Sequence, residues 1–454
     1  MISKLLIANR GEIAVRIIRT CKEMGIETVA VYSTADKDSL HVQLASESVC
    51  IGGPKPLDSY LNMHAIIQAA CLTGCDAIHP GFGFLSENSE FARLVQECGL
   101  IFIGPSPEII EKMGNKTEAR KSMMHAGVPI VKGCNEPVKE VEEGLKIARD
   151  ISYPVIVKAC NGGGGRGMRI VYDESDFAHL FLEAKNESKV CFGSEDIFIE
   201  KYIECPKHIE VQVAGDNFGN VIHLFERDCS FQIRNQKMIE EAPCFVLSEE
   251  LRENMCNDAI KACKEVGYNS VGTIEFLLDK HGDYYFMEMN TRIQVEHPIT
   301  EMITGIDLVK LQIRIANNLQ LGYKQEDIKR QGYALECRIN AEDPKRNFAP
   351  SAGKIEFLNL PGGRGVRIES AVYNGCFIPP YYDSMIAKII TFAPSRLECI
   401  KKMRVALEEF ILDGIETNEE FHYLVLHNKQ FIEGKYDTAF ASGLIEELIA
   451  NEYI

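Results

Sequence analysis

Residues 287–298, MEMNTRIQVEHP, constrain this chain more than any other stretch. An extended backbone sends successive side chains to opposite faces. The even positions, Glu288, Asn290, Arg292, Gln294 and Glu296, then share one face, and Met287, Met289, Thr291, Ile293 and Val295 share the other. The polar face carries two carboxylates, two amides and a guanidinium, with no Lys, Ser or Thr. The run before it sharpens the pattern. Residues 271–279 (VGTIEFLLD) and 284–290 (YYFMEMN) flank Lys280-His281-Gly282-Asp283, which reads as a hairpin with His281-Gly282 at its tip. Simple pairing sets Glu275 opposite Glu288, with Cβ atoms roughly 5 Å apart. Facing carboxylates call for a cation between them. Oxygen ligands at that spacing suit Mg²⁺ or Mn²⁺; a slipped register with two solvated glutamates accounts for the sequence equally well. Pro298 disfavours helix at His297, which predicts an extended backbone through Glu296.

At 454 residues the chain has room for two or three domains. A hydrophobic content of 46% and a charged content of 25% are those of a globular protein with ample core. Lys and Arg number 49 against 66 Asp and Glu, a net charge of −17. That argues against nucleic acid or an anionic membrane as the main ligand, but leaves room for a local basic pocket. Sixteen scattered cysteines without a CxxC pair offer no zinc site. Scattered thiols and the lack of a signal peptide predict a reducing, cytoplasmic setting. No apolar run approaches the ~18 residues of a membrane helix.

From the start, KLLIAN, RGEIAVRIIRTCKEMG and IETVAVYS read as strand, helix and strand. Helical patterns over 60–73 and 89–98 alternate with the strand-like DAIHP and LIFIG. Such alternation predicts a doubly wound parallel sheet with helices on both faces. No GxGxxG follows the first strand, so dinucleotide binding has no support. The loop 79–88 (HPGFGFLSEN) leaves the carboxyl end of a strand, where ligands of such sheets gather. Residues 153–171, YPVIVKACNGGGGRGMRIV, place Lys158 before four glycines between two β-rich runs. This favours a mobile phosphate lid over a plain linker, because glycine lets backbone N–H groups approach phosphate closely. Residues 195–204 read as a strand, and HIEVQVAGD pairs with VIHLFERD around Asn217-Phe218-Gly219. The segment CSFQIRNQKMIEEAP sets Lys237 near Glu240 and Glu241, and reads equally as a salt-bridged surface. His208 and Lys116, taken singly, read as structural and solvated. From Gln331 onward the chain is β-rich with two late helices, and Arg338 lies in a strand opposite Cys337 and Ile339.

Together, ANRGEIA, HPGFGFLSEN, KACNGGGGRGM, ERDCS, EMNTRIQVEHPITEMITG, ECRINAEDP and PPYYDSM resemble the biotin carboxylase component of biotin-dependent carboxylases, within the ATP-grasp superfamily. The resemblance spans nearly the whole chain. It implies an N-terminal α/β domain over 1–113 and an ATP-grasp domain over 114–330, with a lid subdomain near 131–203. A C-terminal β-rich α+β domain over 331–454 completes the fold. The implied activity is ATP-dependent carboxylation of biotin by bicarbonate through carboxyphosphate, in a multi-subunit carboxylase of the acetyl-CoA type. A pyruvate or other acyl-CoA carboxylase is the alternative. For ATP, the resemblance implies Lys116, Lys158, Gly164, Gly165, His208, Gln232, Asn235 and Leu277, with Glu200, Lys201, Tyr202 and Ile203 as the adenine hinge. Glu275 and Glu288 with Asn290 would hold Mg²⁺ or Mn²⁺. Lys237, Arg292, Gln294, Glu296 and the Val295 backbone would hold bicarbonate. Glu296 would be the general base, and Arg338 the partner of the biotin enolate, with Phe82 beside biotin. Lys237, Arg292, Glu296 and Arg338 form the implied catalytic set. Implied partners are a biotin carboxyl carrier protein, carboxyltransferase subunits and a second copy in a homodimer. With no AMKM-like segment present, biotin is expected on a separate protein.

Three positions depart from the family pattern. Ile233 stands where Arg is common, Asn235 where His is frequent and Phe82 where Tyr is usual. These bear on ATP and biotin affinity, not on the reaction type. Another ATP-grasp carboxylate–amine ligase and a catalytically silent subunit are the competing readings. Gln294, Glu296 and Arg338 count against the first, and the intact set of charged residues against the second.

Overall fold

The computed structural model describes residues 1–134, 136–159, 168–192 and 195–451. Strands β1 (Lys4–Ile7), β2 (Glu27–Ser33), β3 (Glu47–Gly52), β4 (Ala77–His79) and β5 (Ile101–Phe102) form a parallel sheet ordered β3-β2-β1-β4-β5. The short apolar runs of β1 and β4 are buried, as strands covered on both faces must be. The helix Gly11–Glu23 turns Ile13, Ile17 and Cys21, at helical spacing, into a cluster with Leu5 and Ile7. Ile293, Leu308 and Leu311 join the same cluster. The parallel sheet is therefore packed directly behind the segment that carries the polar face. The helix expected from residue 60 begins at Met63. Tyr60 is instead buried, its hydroxyl donating to Asp36 at 2.6 Å, and Asn62 caps the helix by accepting from the Ala65 N–H.

A small antiparallel sheet, β7-β6-β8, holds β6 (Val155–Ala159), β7 (Met168–Val171) and β8 (Ile197–Lys201). It has its own core of Val155, Val157, Phe177, Phe181, Ile197 and Ile199. β6 and β7 pair antiparallel up to Lys158 opposite Met168, as a hairpin around the glycine run requires. Residues 160–167, with Gly164 and Gly165, lie outside the described residues.

The main body is one eight-stranded sheet. It runs β13 (Tyr284–Asn290), β12 (Val271–Leu278), β9 (Lys207–Gly215), β10 (Val221–Ile233), β11 (Gln236–Ala242), β14 (Tyr333–Asn340), then Met385–Ala393 and Val366–Ser370. The same sheet thus runs across residue 330. Cys337 and Ile339 of β14 enter the C-terminal core with Phe231, Ile389, Phe421 and Phe431, leaving Arg338 on the other face.

Two local features differ from expectation. Thr273, Ile274 and Glu275 pair with Asn290, Met289 and Glu288 as drawn, but the register shifts at Phe276, which pairs with Phe286. Met287 is the extra residue of a bulge and is exposed. The second difference is a correction. The backbone is not extended through Glu296: β13 stops at Asn290, and a helix occupies His297–Thr304. Pro298 sits in its first turn, where a missing N–H costs nothing, so proline starts this helix instead of forbidding it. A further hairpin joins β10 to β11 through Arg234 and Asn235, both with positive φ (51° and 63°). Asn adopts that conformation readily, and the tight turn sets Lys237 opposite Gln232.

Arg396 fastens the C-terminal helices to this sheet. It donates to both oxygens of buried Glu241, at 2.5 and 2.7 Å, and to the Phe431 and Ile432 carbonyls. Arg396→Leu leaves Glu241 buried without a cation and is expected to cost about 3–5 kcal/mol. Denaturant unfolding followed by tyrosine fluorescence measures this; a loss below about 1 kcal/mol would show that the pair contributes little.

Candidate active site

The site grows from three adjacent strands. Glu275 on β12 faces Glu288 on β13 and Glu210 on β9. His208 is two residues from Glu210 on the same strand face, and Leu277, half-buried, lies opposite it. From the far side of β10, the turn at Arg234-Asn235 returns Lys237 toward this acidic row. Its ammonium touches Glu210 at 2.6 Å, Glu296 at 2.7 Å and Glu275 at 2.9 Å. The cation demanded by the paired carboxylates is thus supplied in part by the protein itself.

The even positions of the opening stretch converge although the backbone turns. Asn290 Nδ2 and Gln294 Nε2 both donate to Glu275 Oε1, at 2.9 and 2.7 Å. Arg292 Nη2 donates to Asn290 Oδ1 at 2.8 Å, and Nε to Glu87 Oε2 at 2.7 Å. Glu87 also accepts from the Thr291 N–H at 3.1 Å. The loop 79–88 therefore does look into this site, as its position at a strand end predicts. The turn through Gln294 and Glu296 carries the Glu296 carboxylate back to Lys237, and Arg338 Nη2 donates to its other oxygen at 3.0 Å. Arg338 Nε is held by Glu240 at 2.5 Å. Met289 and Ile293 enter two hydrophobic cores, as the alternation requires.

The charges follow from these contacts. Burial alone would raise the Glu296 carboxyl, but Lys237, Arg338 and Arg227 outweigh it and hold Glu296 ionised well below the usual range. Burial would lower Lys237, and its three carboxylates hold it well above its ordinary value. Glu288 behaves oppositely. Desolvation and the facing Glu275 push it up, since Lys237 bonds Glu275 and not Glu288. Two facing carboxylates, one of them uncompensated, form a hard-oxygen pair that fits Mg²⁺ or Mn²⁺, and the neighbouring Asn290 amide, whose Oδ1 here accepts from Arg292, could add its oxygen by turning over.

A second group forms at the small sheet. Lys158 donates to Glu200 at 2.5 Å, and Arg120 lies 3.6 Å from it. Burial would raise Glu200, yet Lys158, Arg120 and Lys116 keep it low. Lys116 opens a helix whose cap, Asn115, precedes it. In the predicted hinge, the Lys201 N–H is bonded to the Lys132 carbonyl and the Tyr202 N–H to that of Pro154. Ile203 follows, half-buried.

The remaining candidates are more scattered. Gln232 Nε2 meets His208 Nδ1 at 2.9 Å, and His208 Nε2 is 3.0 Å from Glu275 Oε2. Asn235 is exposed at the hairpin tip. Phe82 packs on the cluster around Ile13, with its carbonyl bonded by Asn9. The Val295 carbonyl accepts from buried Lys388 at 2.7 Å. Four residues of this network escape a reading of the sequence: Glu87, Glu210, Arg227 and Lys388. Glu210 had a signal, because His208, Glu210 and Gln212 alternate with Ile209 and Val211 as the opening stretch does.

Known proteins are similar to this chain in sequence and in fold. Family models match in three consecutive parts. They are the biotin carboxylase N-terminal domain over residues 1–110, the carbamoyl-phosphate synthase L chain ATP binding domain over 115–324 and the biotin carboxylase C-terminal domain over 336–442. Biotin carboxylase 1 of Bacillus subtilis is 55% identical over 441 residues, 97% of this chain and 98% of that one. The biotin carboxylase domain dimer of the 2-oxoglutarate carboxylase of Hydrogenobacter thermophilus, solved with MgADP, ADP and bicarbonate, is 52% identical, with a TM-score of 0.93 over 98% of both chains. The biotin carboxylase subunit of a pyruvate carboxylase is also 52% identical, with a TM-score of 0.87 over 98% of this chain and 99% of that one. With identity above one half along nearly the full length of both sequences, the chain belongs to the biotin carboxylase family.

Proposed function

We propose that this chain carboxylates biotin borne on a separate carrier protein, using ATP and bicarbonate, as the first half-reaction of a multi-subunit carboxylase. The observation that carries the site assignment is Lys237, whose ammonium bridges Glu210, Glu275 and Glu296 beside Arg338. Bicarbonate must lose a proton to attack the γ-phosphate. Glu296 is the base: it is ionised at any working pH, and its proton affinity rises once an oxyanion takes over Lys237 and Arg338. Arg292 offers a planar fork for a planar oxyanion, and Gln294 with the Val295 backbone completes its cradle. Glu275, Glu288 and Asn290 would hold Mg²⁺ or Mn²⁺, which offsets phosphate charge in the loose transition state. Lys116, Lys158 and His208, with Gln232, Leu277 and Glu200 to Ile203, make the ATP side. A site closed to water is needed, because water would hydrolyse carboxyphosphate. Arg338 faces the developing ureido oxyanion, with Phe82 at the rim.

The acceptor is proposed as acetyl-CoA, served by carboxyltransferase subunits. A second reading, pyruvate or 2-oxoglutarate, is favoured by the equal likeness to chains of those carboxylases. Co-purification with the partner subunits, followed by carboxylation assays on the three acceptors, separates them. A homodimer is proposed by likeness to the domain dimer of the 2-oxoglutarate enzyme, and a reducing cytosol as its setting. Among the described residues, no helix is long and apolar enough to cross a membrane.

Glu296→Gln is expected to lower bicarbonate-dependent ADP release about 10²–10⁴-fold while ATP affinity, read by calorimetry, stays near wild type. Loss of ATP binding in its place would remove the base assignment. Chelating divalent cations is expected to stop turnover, and added Mn²⁺ to restore it. Turnover that persisted in chelator would rule out the role given to Glu275, Glu288 and Asn290.

A further inference from the structure

Behind Arg338 lies a second pair of facing carboxylates that the proposed reaction leaves unused. Glu240 on β11 and Glu336 on β14 are direct partners across an antiparallel pairing, and both are fully buried. Direct partners hold their side chains on one face of the sheet. Glu240 Oε1 accepts from Arg338 Nε at 2.5 Å. Its Oε2 and both oxygens of Glu336 have no hydrogen-bond partner. Two charged carboxylates cannot face each other in a dry interior when only Glu240 has a cation against it, because the unpartnered charge carries a heavy desolvation penalty. A proton on one of them removes the repulsion, as in other paired acids.

We propose that Glu240 is a positioning residue for the biotin half of the reaction, with Glu336 as its neutral neighbour. Glu336 remains a neutral carboxylic acid, Glu240 is the carboxylate that grips the Arg338 guanidinium from behind, and protonation of Glu240 releases that grip. This rests on the reading of Arg338 as the group that meets biotin.

The groups facing Glu240 come from every element around it. Arg338 and Glu336 lie on β14, Lys237 on β11, Cys229 on β10 and Glu296 on the turn before the helix. Lys388, on the next strand, faces Glu336. Burial pushes Glu240 up to about 7, with Arg338 and Lys237 opposing and Glu296 adding. Burial raises Glu336 well beyond the carboxylate range, with Lys388 opposing and Glu240 adding. The sign follows. Glu240 is charged above about 7 and loses its charge as pH falls through that value. Glu336, buried with neither oxygen hydrogen-bonded, is the member of the pair that holds the proton. Glu296, held low, does not titrate in this window.

The test uses the full chain with MgATP, bicarbonate and free biotin, and follows ADP release with and without biotin across pH. In the wild type, the ratio of biotin-stimulated to unstimulated rate is expected to fall as pH drops through about 7. Glu240→Gln is expected to lower that ratio about tenfold on the alkaline side, the scale set by a displaced catalytic group, and to abolish its fall with pH. Glu240→Asp, which keeps the charge, restores part of both. Glu336→Gln, whose amide mimics a neutral acid, keeps the fall and changes the ratio by about twofold at most. The inference is overturned if Glu240→Gln keeps the wild-type ratio and its fall, if Glu336→Gln loses as much as Glu240→Gln, or if the wild-type ratio is flat through neutrality. Should Glu240→Gln not fold, the wild-type profile and Glu336→Gln still decide. A wild type without bicarbonate-dependent ADP release would instead fail the functional reading itself.

Discussion

Arg227 is the contact on which the site depends. It is fully buried, and all five of its N–H groups are used. Nε donates to Glu210 at 2.5 Å, Nη1 to Gln212 and Thr300, and Nη2 to Gln294 at 2.7 Å and Thr273 at 3.2 Å. One guanidinium on β10 thereby ties together β9, β12, the turn before Glu296 and the helix after it. A lysine at this position would offer a point charge and fewer donors, and could not hold five partners in a plane. A buried ion this well matched carries its desolvation penalty only because every donor is satisfied. Glu210 and Gln294, fixed by Arg227, then meet Lys237 and Glu275, so the orientation of one buried group passes into the chemistry.

Beyond that centre, the cations of the site stand against protein carboxylates. Lys158 meets Glu200, Arg292 meets Glu87, Lys237 meets three glutamates and Arg338 meets Glu240 and Glu296. Anionic substrates enter such a site by exchanging partners, not by finding bare charge. The charged groups are held in place beforehand, so little reorganisation remains for the reacting moment. On the proposed reading, the same exchange would free Glu296 from Lys237 and Arg338 when a base is required.

Much of this was legible in the residues, and the limits have physical causes. The Glu275–Glu288 register is local: a short hairpin and a two-residue period suffice, although the bulge at Met287 gave no sign in the apolar pattern. Arg338 could be assigned to a polar face because Cys337 and Ile339 claim the other. The loop 79–88 could be aimed at the site from its place at a strand end. The turn at 291–296 could not, because proline before a helix and proline in its first turn read alike until the fold supplies the partner of Glu296. Arg227 and Lys388 were silent because their partners lie far off in sequence, and a buried arginine looks like a surface one until the strands around it are placed. The continuity of one sheet across residue 330 had no marker, since strand order is a long-range property.

The central claim is that Lys237, Arg292, Gln294 and Glu296 deliver bicarbonate, not water, to the γ-phosphate. Oxygen-18 tracing tests it most directly. With labelled bicarbonate in unlabelled water, attack by bicarbonate followed by loss of CO₂ leaves a bicarbonate oxygen on the released phosphate, and mass spectrometry is expected to find a single label transferred per turnover. Phosphate carrying oxygen from water alone, at the full rate of ADP release, would contradict the account.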